Sequence, residues 1–194
     1  MKAILAAALA ALCTPIAAQA AIVINVQQVG TSVVLKGSGT FDTSGLTLYA
    51  ANLQGSPRIN PAFGSISVGI SAPINMFTGI TGPGLGYLQR SQLASSATGD
   101  VFGIAQYMGA INLPVGYQSG SLLSGSATYL DATIASLGLK DGQYVFRSSN
   151  DSLTVNIGGS AVPEPAMWGM MIGGFVFAGG TLRRRSGRAM LRAA

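Results

Sequence analysis

Apolar and polar residues alternate two apart in short runs through the middle of this chain. Ser65-Ile66-Ser67-Val68-Gly69-Ile70 alternates without a break, which predicts a strand with Ile66, Val68 and Ile70 facing a core. Ser152-Leu153-Thr154-Val155-Asn156-Ile157 repeats the pattern, and Leu46 and Leu48 alternate with Thr47 and Tyr49. Residues 22–29, 32–36, 101–108, 126–130 and 144–147 complete the predicted strands. Ser148-Ser149-Asn150-Asp151 joins two of them as a hairpin loop. Helical periodicity is confined to residues 131–138, with Asp131 as N-cap and Gly138 as terminator, and to residues 89–97. Gly37-Ser38-Gly39, Ser119-Gly120-Ser121 and Ser124-Gly125-Ser126 read as turns rather than as a repeat of fixed period. The expectation is an all-β domain over residues 21–160, a single antiparallel β-sandwich with a barrel as the alternative.

The two ends break this pattern. Met1-Lys2 is followed by ten unbroken apolar residues, 3–12, then by Thr14-Pro15 and by Ala18 and Ala20, small residues two apart. Cation, short apolar core and A-x-A in that order predict a secretory signal peptide over residues 1–20, with Ala18 and Ala20 read by signal peptidase. Cys13 is the chain's one cysteine. Leu12 stands before it where a lipoprotein signal needs a small residue, so the cysteine is expected to leave with the peptide. At the other end, residues 166–182 carry no charge, and Arg183, Arg184, Arg185, Arg188 and Arg192 follow. As a helix, 17 residues rise roughly 25 Å, just short of the hydrocarbon core of a bilayer. The segment 161–194 therefore reads as a transmembrane helix with a stop-transfer basic end that keeps the C-terminus cytoplasmic.

Charge confirms that the ends and the middle differ in kind. Only 9% of residues are charged, and the net charge is +5. Between residues 21 and 162, five cations (Lys36, Arg58, Arg90, Lys140 and Arg147) cancel five aspartates. The excess thus belongs to Lys2 and the C-terminal arginines. It reports membrane topology, not a nucleic-acid surface.

Val162-Pro163-Glu164-Pro165, then Trp168, Met170-Met171, an apolar glycine-rich run and Arg183-Arg184-Arg185 resemble the PEP-CTERM sorting signal of Gram-negative bacteria. The closest form is PEPxxWA, with Gly169 in place of the usual Ala. The resemblance implies recognition through Pro163, Glu164, Pro165, Trp168 and the basic cluster by an exosortase, a membrane-embedded processing enzyme. It implies transient anchoring in the inner membrane, processing at or near residues 163–165, and delivery to the cell surface or extracellular matrix. The middle of the chain is also similar to small alphaproteobacterial PEP-CTERM proteins. That similarity runs through residues 22–30, Ser124-Gly125-Ser126-Ala127-Thr128-Tyr129, Gly142-Gln143-Tyr144-Val145-Phe146 and 152–157. It implies architecture and destination, with no activity attached.

Catalytic chemistry finds little material. The chain has no His, and the region between the tails has no Cys or Glu. A glycosidase would need two carboxylates about 5–10 Å apart. The five aspartates have structural readings: Asp42, Asp141 and Asp151 in turns, Asp131 as a helix cap, Asp100 at a strand start. Gly82-Pro83-Gly84-Leu85-Gly86 lacks the Lys-Ser/Thr of a phosphate-binding loop. No D-x-D-x-D-G calcium loop is present. Tyr49, Tyr87, Tyr107, Tyr117 and Tyr129 are candidates for sugar stacking, with core or half-buried strand positions as their ordinary use. Asn150-Asp151-Ser152 matches a glycosylation sequon by pattern alone. The expectation is a non-catalytic protein without metal or cofactor. Its expected partners are the inner membrane, signal peptidase and exosortase, with self-association or exopolysaccharide as candidates and no nucleic acid. A secreted carbohydrate- or calcium-binding adhesion module is the alternative, and an Asp-dependent hydrolase the second alternative.

Overall fold

A computed structural model describes residues 21–87 and 90–159. Thirteen strands follow in chain order: β1 (Ala21–Val29), β2 (Ser32–Gly39), β3 (Thr47–Gln54), β4 (Arg58–Asn60), β5 (Ser65–Val68), β6 (Pro73–Thr78), β7 (Gln92–Leu93), β8 (Ser96–Gly99), β9 (Phe102–Ala105), β10 (Ala110–Pro114), β11 (Leu123–Tyr129), β12 (Gly142–Arg147) and β13 (Ser152–Ile157). They form two sheets, ordered β12-β13-β1-β2-β11-β8 and β3-β6-β10-β9-β5-β4-β7. The architecture is all-β and sandwich-like, and the sheets do not close into a barrel.

Period-two alternation builds the first sheet. Ile22, Ile24 and Val26 of β1, Val33 and Leu35 of β2, and Leu153, Val155 and Ile157 of β13 all point inward and are buried. The second sheet answers with Ile59, Ile66, Val68, Phe102, Ile104, Ile111 and Leu113, and both sets join one apolar cluster. Pairing is antiparallel except between β1 and β13, which run parallel from Ala21↔Ser152 to Val26↔Ile157. The expected purely antiparallel order fails here because these strands stand at opposite ends of the domain's sequence. No hairpin connects them, so no tight turn dictates their direction.

Several sequence expectations are corrected. Residues 131–138 form turns, not a helix. Asp131 has φ +50°, so it cannot take the extended backbone of an N-cap. Thr133 and Ser136 bond each other reciprocally (2.8–3.0 Å), the arrangement of a helix start, but a single turn follows, with Leu137 N–H to Thr133 O at 3.0 Å, before Gly138 (φ +72°) ends it. Where described, residues 89–97 hold β7 and the start of β8. Ile70 is 52% exposed. The chain leaves its sheet at Gly69 (φ +85°), whose N–H donates to Ser126 O of the other sheet at 3.2 Å. The strand expected over residues 101–108 stops at Ala105. The short 3₁₀ turn Gln106–Met108 and Gly109 (φ +58°) then reverse the chain into β10. Leu48, expected to alternate inward, is exposed on the edge strand β3.

Two of the glycine-serine pieces are strand interior rather than turn. Gly37 of β2 pairs with Gly125 of β11, and both glycines sit at inward positions. A Cβ on Gly37 would stand 2.8 Å from Phe102 Cζ, so these glycines make room for the opposing layer. Only Ser119-Gly120-Ser121 is a turn, as expected.

Candidate functional site

The densest polar arrangement among the described residues fastens three loops, residues 40–46, 115–121 and 148–151. The Asp42 carboxylate accepts from Ser44 N–H at 2.8 Å and from Ser119 Oγ at 2.9 Å. Asp151 Oδ2 accepts from Asp42 N–H at 2.7 Å, and its Oδ1 from Ser152 N–H at 2.7 Å. Asn150 Nδ2 donates to Ser44 O and Oγ at 2.8 and 2.9 Å. Tyr117 Oη accepts from Phe41 N–H at 2.8 Å, with Phe41 O and Ser121 O as alternative acceptors for its proton. The hairpin loop expected at residues 148–151 is confirmed, and it is one wall of this arrangement.

Two aspartates thus converge, but as structural acceptors. Bonds from Ser44 and then Ser119 hold the Asp42 carboxyl below its ordinary 3.8, since they favour the charged form. Burial pushes the Tyr117 hydroxyl up, opposite to what a proton acceptor at neutral pH requires. Asp42 has a lowered folded pKa, so its contribution to stability is full above the unfolded value and is lost as pH falls through the folded one. The stability gap between the parent and Asp42→Asn is therefore expected to hold at pH 5–7 and to shrink below about pH 4. Thermal melts of both proteins across that range measure it. A gap that widened toward acid would contradict the assignment.

The other aspartates lie apart. Asp100 Oδ2 accepts from Ser124 N–H at 3.0 Å, Asp131 occupies its left-handed turn, and Asp141 lies against Gly158. Asp141 also borders an open cleft of about 690 Å³, with Lys140, Tyr87, Gln28, Ile134 and Leu139. Gln28 is tied to the backbone there. Its amide nitrogen donates to backbone oxygens of Gly30, Ser32 and Ala132, and its oxygen accepts from Ile134 N–H. Lys140 and Asp141 bring one charge of each sign to the rim, with no second carboxylate for acid–base work. Among the described residues, no group of three or more His, Cys, Asp or Glu is placed to hold a metal.

The tyrosines divide. Tyr129 is buried with an unpartnered hydroxyl, and burial pushes that group up. Tyr49, Tyr87 and Tyr107 are exposed; of these only Tyr49 stands on a strand, where burial was the ordinary expectation. Tyr107 meets Phe63 with ring centroids 5.0 Å apart and planes at 57°. Each ring is carried by a short 3₁₀ turn closed by a left-handed glycine, Gly64 or Gly109, on neighbouring hairpins. The sequence shows both tyrosine and phenylalanine but not their meeting, which depends on β5 pairing with β9.

The sorting and signal residues Ala18, Ala20, Pro163, Glu164, Pro165, Trp168, Arg183, Arg184, Arg185 and Arg188 lie outside the described residues, as do the expected signal and transmembrane helices. Among the described residues, no helix is long and apolar enough to cross a membrane. No known protein family, curated protein or solved structure matches this chain.

Proposed function

We propose that this is an exported, non-catalytic surface or matrix protein: a sandwich-like domain delivered by the N-terminal signal and sorted by the C-terminal segment. The observation that carries the reading is the order along the chain. The last strand ends at Ile157, and the Pro163-Glu164-Pro165 motif, an uncharged 17-residue run and an arginine cluster follow within a few residues. A folded passenger placed directly before a processing motif is what an exosortase substrate requires. The use of both converging carboxylates as acceptors for backbone N–H groups supports a non-catalytic role. In this reading the inner membrane, signal peptidase and exosortase are partners on the way out, and the mature domain acts outside.

Terminal mass spectrometry on the protein from fractionated native cells tests it. The expected chain begins at Ala21, ends near residues 163–165 and is found outside the inner membrane. Substituting Pro163, Glu164 and Pro165 together by alanine is expected to leave the tail through Ala194 attached and the protein in the inner membrane. A parent chain retaining Trp168 in that membrane would overturn the sorting part of the proposal.

The exposed Phe63–Tyr107 pair favours a second reading, a secreted module that stacks carbohydrate rings on aromatic faces. It keeps the same route of export and differs only in what the mature domain does.

A further inference from the structure

The open cleft beside Tyr87 has no part in the fastening of the loops, and its walls are fixed. Gln28 of β1 is bonded to four backbone groups, and Thr133 and Ser136 bond each other in the turn that follows β11. Leu85 O accepts from Lys140 N–H at 3.2 Å and Gly138 O from Tyr87 N–H at 3.4 Å, which ties residues 85–87 to residues 138–140. Tyr144 Oη of β12 donates to Lys140 O at 2.7 Å, and Gly158 N–H to Val26 O at 3.0 Å. A ligand would therefore meet a surface already in place, and such preorganisation lowers the cost of binding. The volume of about 690 Å³ is in the range of clefts that hold small organic groups.

Three side chains give the cleft its chemistry. Tyr87 lines it and is 72% exposed, so its ring stands open to solvent, and covering that ring with apolar surface is favourable. Asp141 is exposed over Gly158, where an added Cβ would overlap the carboxylate. The carboxylates of Asp42, Asp100 and Asp151 accept from backbone N–H groups of the loops they hold. Asp141 differs from them, since among the described residues no group donates to its carboxylate. Lys140 is exposed beside it and carries three N–H donors. The two charges cancel, so the cleft favours neither an anion nor a cation.

A neutral sugar ring meets each of these groups. Its hydroxyls both donate and accept, so their protons suit Asp141 and their oxygens suit Lys140, and hydrogen bonds to charged groups are the strong ones. Its C–H face is apolar and suits the Tyr87 ring. The cleft is open rather than enclosed, so the ring can remain part of a longer chain. We infer that this cleft binds a sugar unit of a neutral polysaccharide, with Tyr87 against the ring face, Asp141 accepting from its hydroxyls and Lys140 donating to them. With one carboxylate in the cleft, the sugar is held and not cut. The inference rests on the carbohydrate reading above but on neither of the residues that carry it, since Phe63 and Tyr107 do not line the cleft.

Affinity electrophoresis tests it, with the full chain purified from its own cells in a detergent that carries no sugar. The gels contain dextran, amylose or the neutral exopolysaccharide of the same cells, and at least one is expected to retard the parent. Tyr87→Ala and Asp141→Asn are each expected to weaken binding at least about tenfold, and Lys140→Ala by less. Tyr87→Phe keeps the ring and is expected to stay within about twofold of the parent. Phe63→Ala combined with Tyr107→Ala is expected to leave binding unchanged. Tyr87 and Asp141 are exposed, so their variants are expected to keep the circular dichroism of the parent. Parent-like binding by Tyr87→Ala and Asp141→Asn would overturn the proposal. If binding were lost only with Phe63 and Tyr107, the cleft would be excluded while the carbohydrate reading stood. A parent retarded by none of the three polysaccharides would overturn both.

Discussion

Replacing Phe102 by alanine is expected to remove about 3–5 kcal/mol of stability, as for a fully buried aromatic ring. That is a large share of the roughly 5–15 kcal/mol that holds a domain of this size together. Phe102 is 0% exposed and projects from β9 toward the first sheet, where it lies against Gly37 of β2. Val68 Cγ2 also stands 3.1 Å from where a Gly37 Cβ would be. Removing the ring therefore empties the space between layers at a point where one layer has no side chain. Gly37→Val alone is expected to cost about 1–3 kcal/mol by overpacking. Combined with Phe102→Ala, it is expected to cost clearly less than the sum, because the new side chain enters the vacated space. Urea unfolding of the four proteins gives the coupling. Strict additivity would show that Phe102 and Gly37 do not face each other in solution.

The same pair shows where sequence reading succeeds and stops. The strands β1, β2, β5 and β13 are legible because each buries one face, and a half-buried strand writes its period of two into the residues. Strand β3 writes only a false version of that period. It is an edge exposed on nearly every side chain, so its leucines do not mark a core face. Strands β4 and β7 are three and two residues long, too short to carry any period. Gly37 and Gly125 misread as turns for a different reason. Their smallness answers a ring 65 residues away in the other sheet for Gly37, and a size requirement set across layers has no local signature. Asp131-Ala132-Thr133 looks like a helix start because the right residue types are there. Thr133 and Ser136 do make the reciprocal bonds of a helix start, but Gly138 (φ +72°) ends the chain's turn after one round.

The candidate site was legible only residue by residue. Asp42 precedes Thr43-Ser44-Gly45 and Asp151 closes Ser148-Ser149-Asn150-Asp151, both recognisable turn sequences, while Tyr117 gave no such signal. Their meeting joins positions 109 and 76 residues apart in the chain. It follows from strand order, with β13 returning beside β1 and carrying the loop at residues 148–151 to the end where residues 40–46 lie. The turn reading of Asp42 and Asp151 was correct, and it extends further than expected, since each turn is also the acceptor that binds a second loop.

Gly69→Ala is the second change expected to damage the domain severely, and Gly116→Ala shows why. Both glycines have left-handed backbones, φ +85° and φ +82°. A side chain in that conformation costs of order 1–3 kcal/mol by strain alone. Around Gly116 no atom lies within 4 Å of an added Cβ, so strain is all that Gly116→Ala introduces. At Gly69 the Cβ would overlap the backbone of Asp100, which cannot swing aside as a flexible side chain would. Asp100 is held by its N–H to Ser124 O at 2.8 Å and by Ser124 N–H to its carboxylate at 3.0 Å. Displacing it also strains the bonds from Gly69 N–H to Ser126 O and from Ile70 N–H to Gly99 O, by which the link between β5 and β6 of one sheet is tied to the other. Gly69→Ala is therefore expected to cost at least about 2 kcal/mol more than Gly116→Ala, near the upper end of single substitutions. Chemical unfolding of both variants beside the parent measures the difference. Equal losses would mean that Gly69 is needed only for its backbone angle. The larger loss at Gly69 would mean that the contact between the sheets depends on two backbones passing closer than any side chain allows.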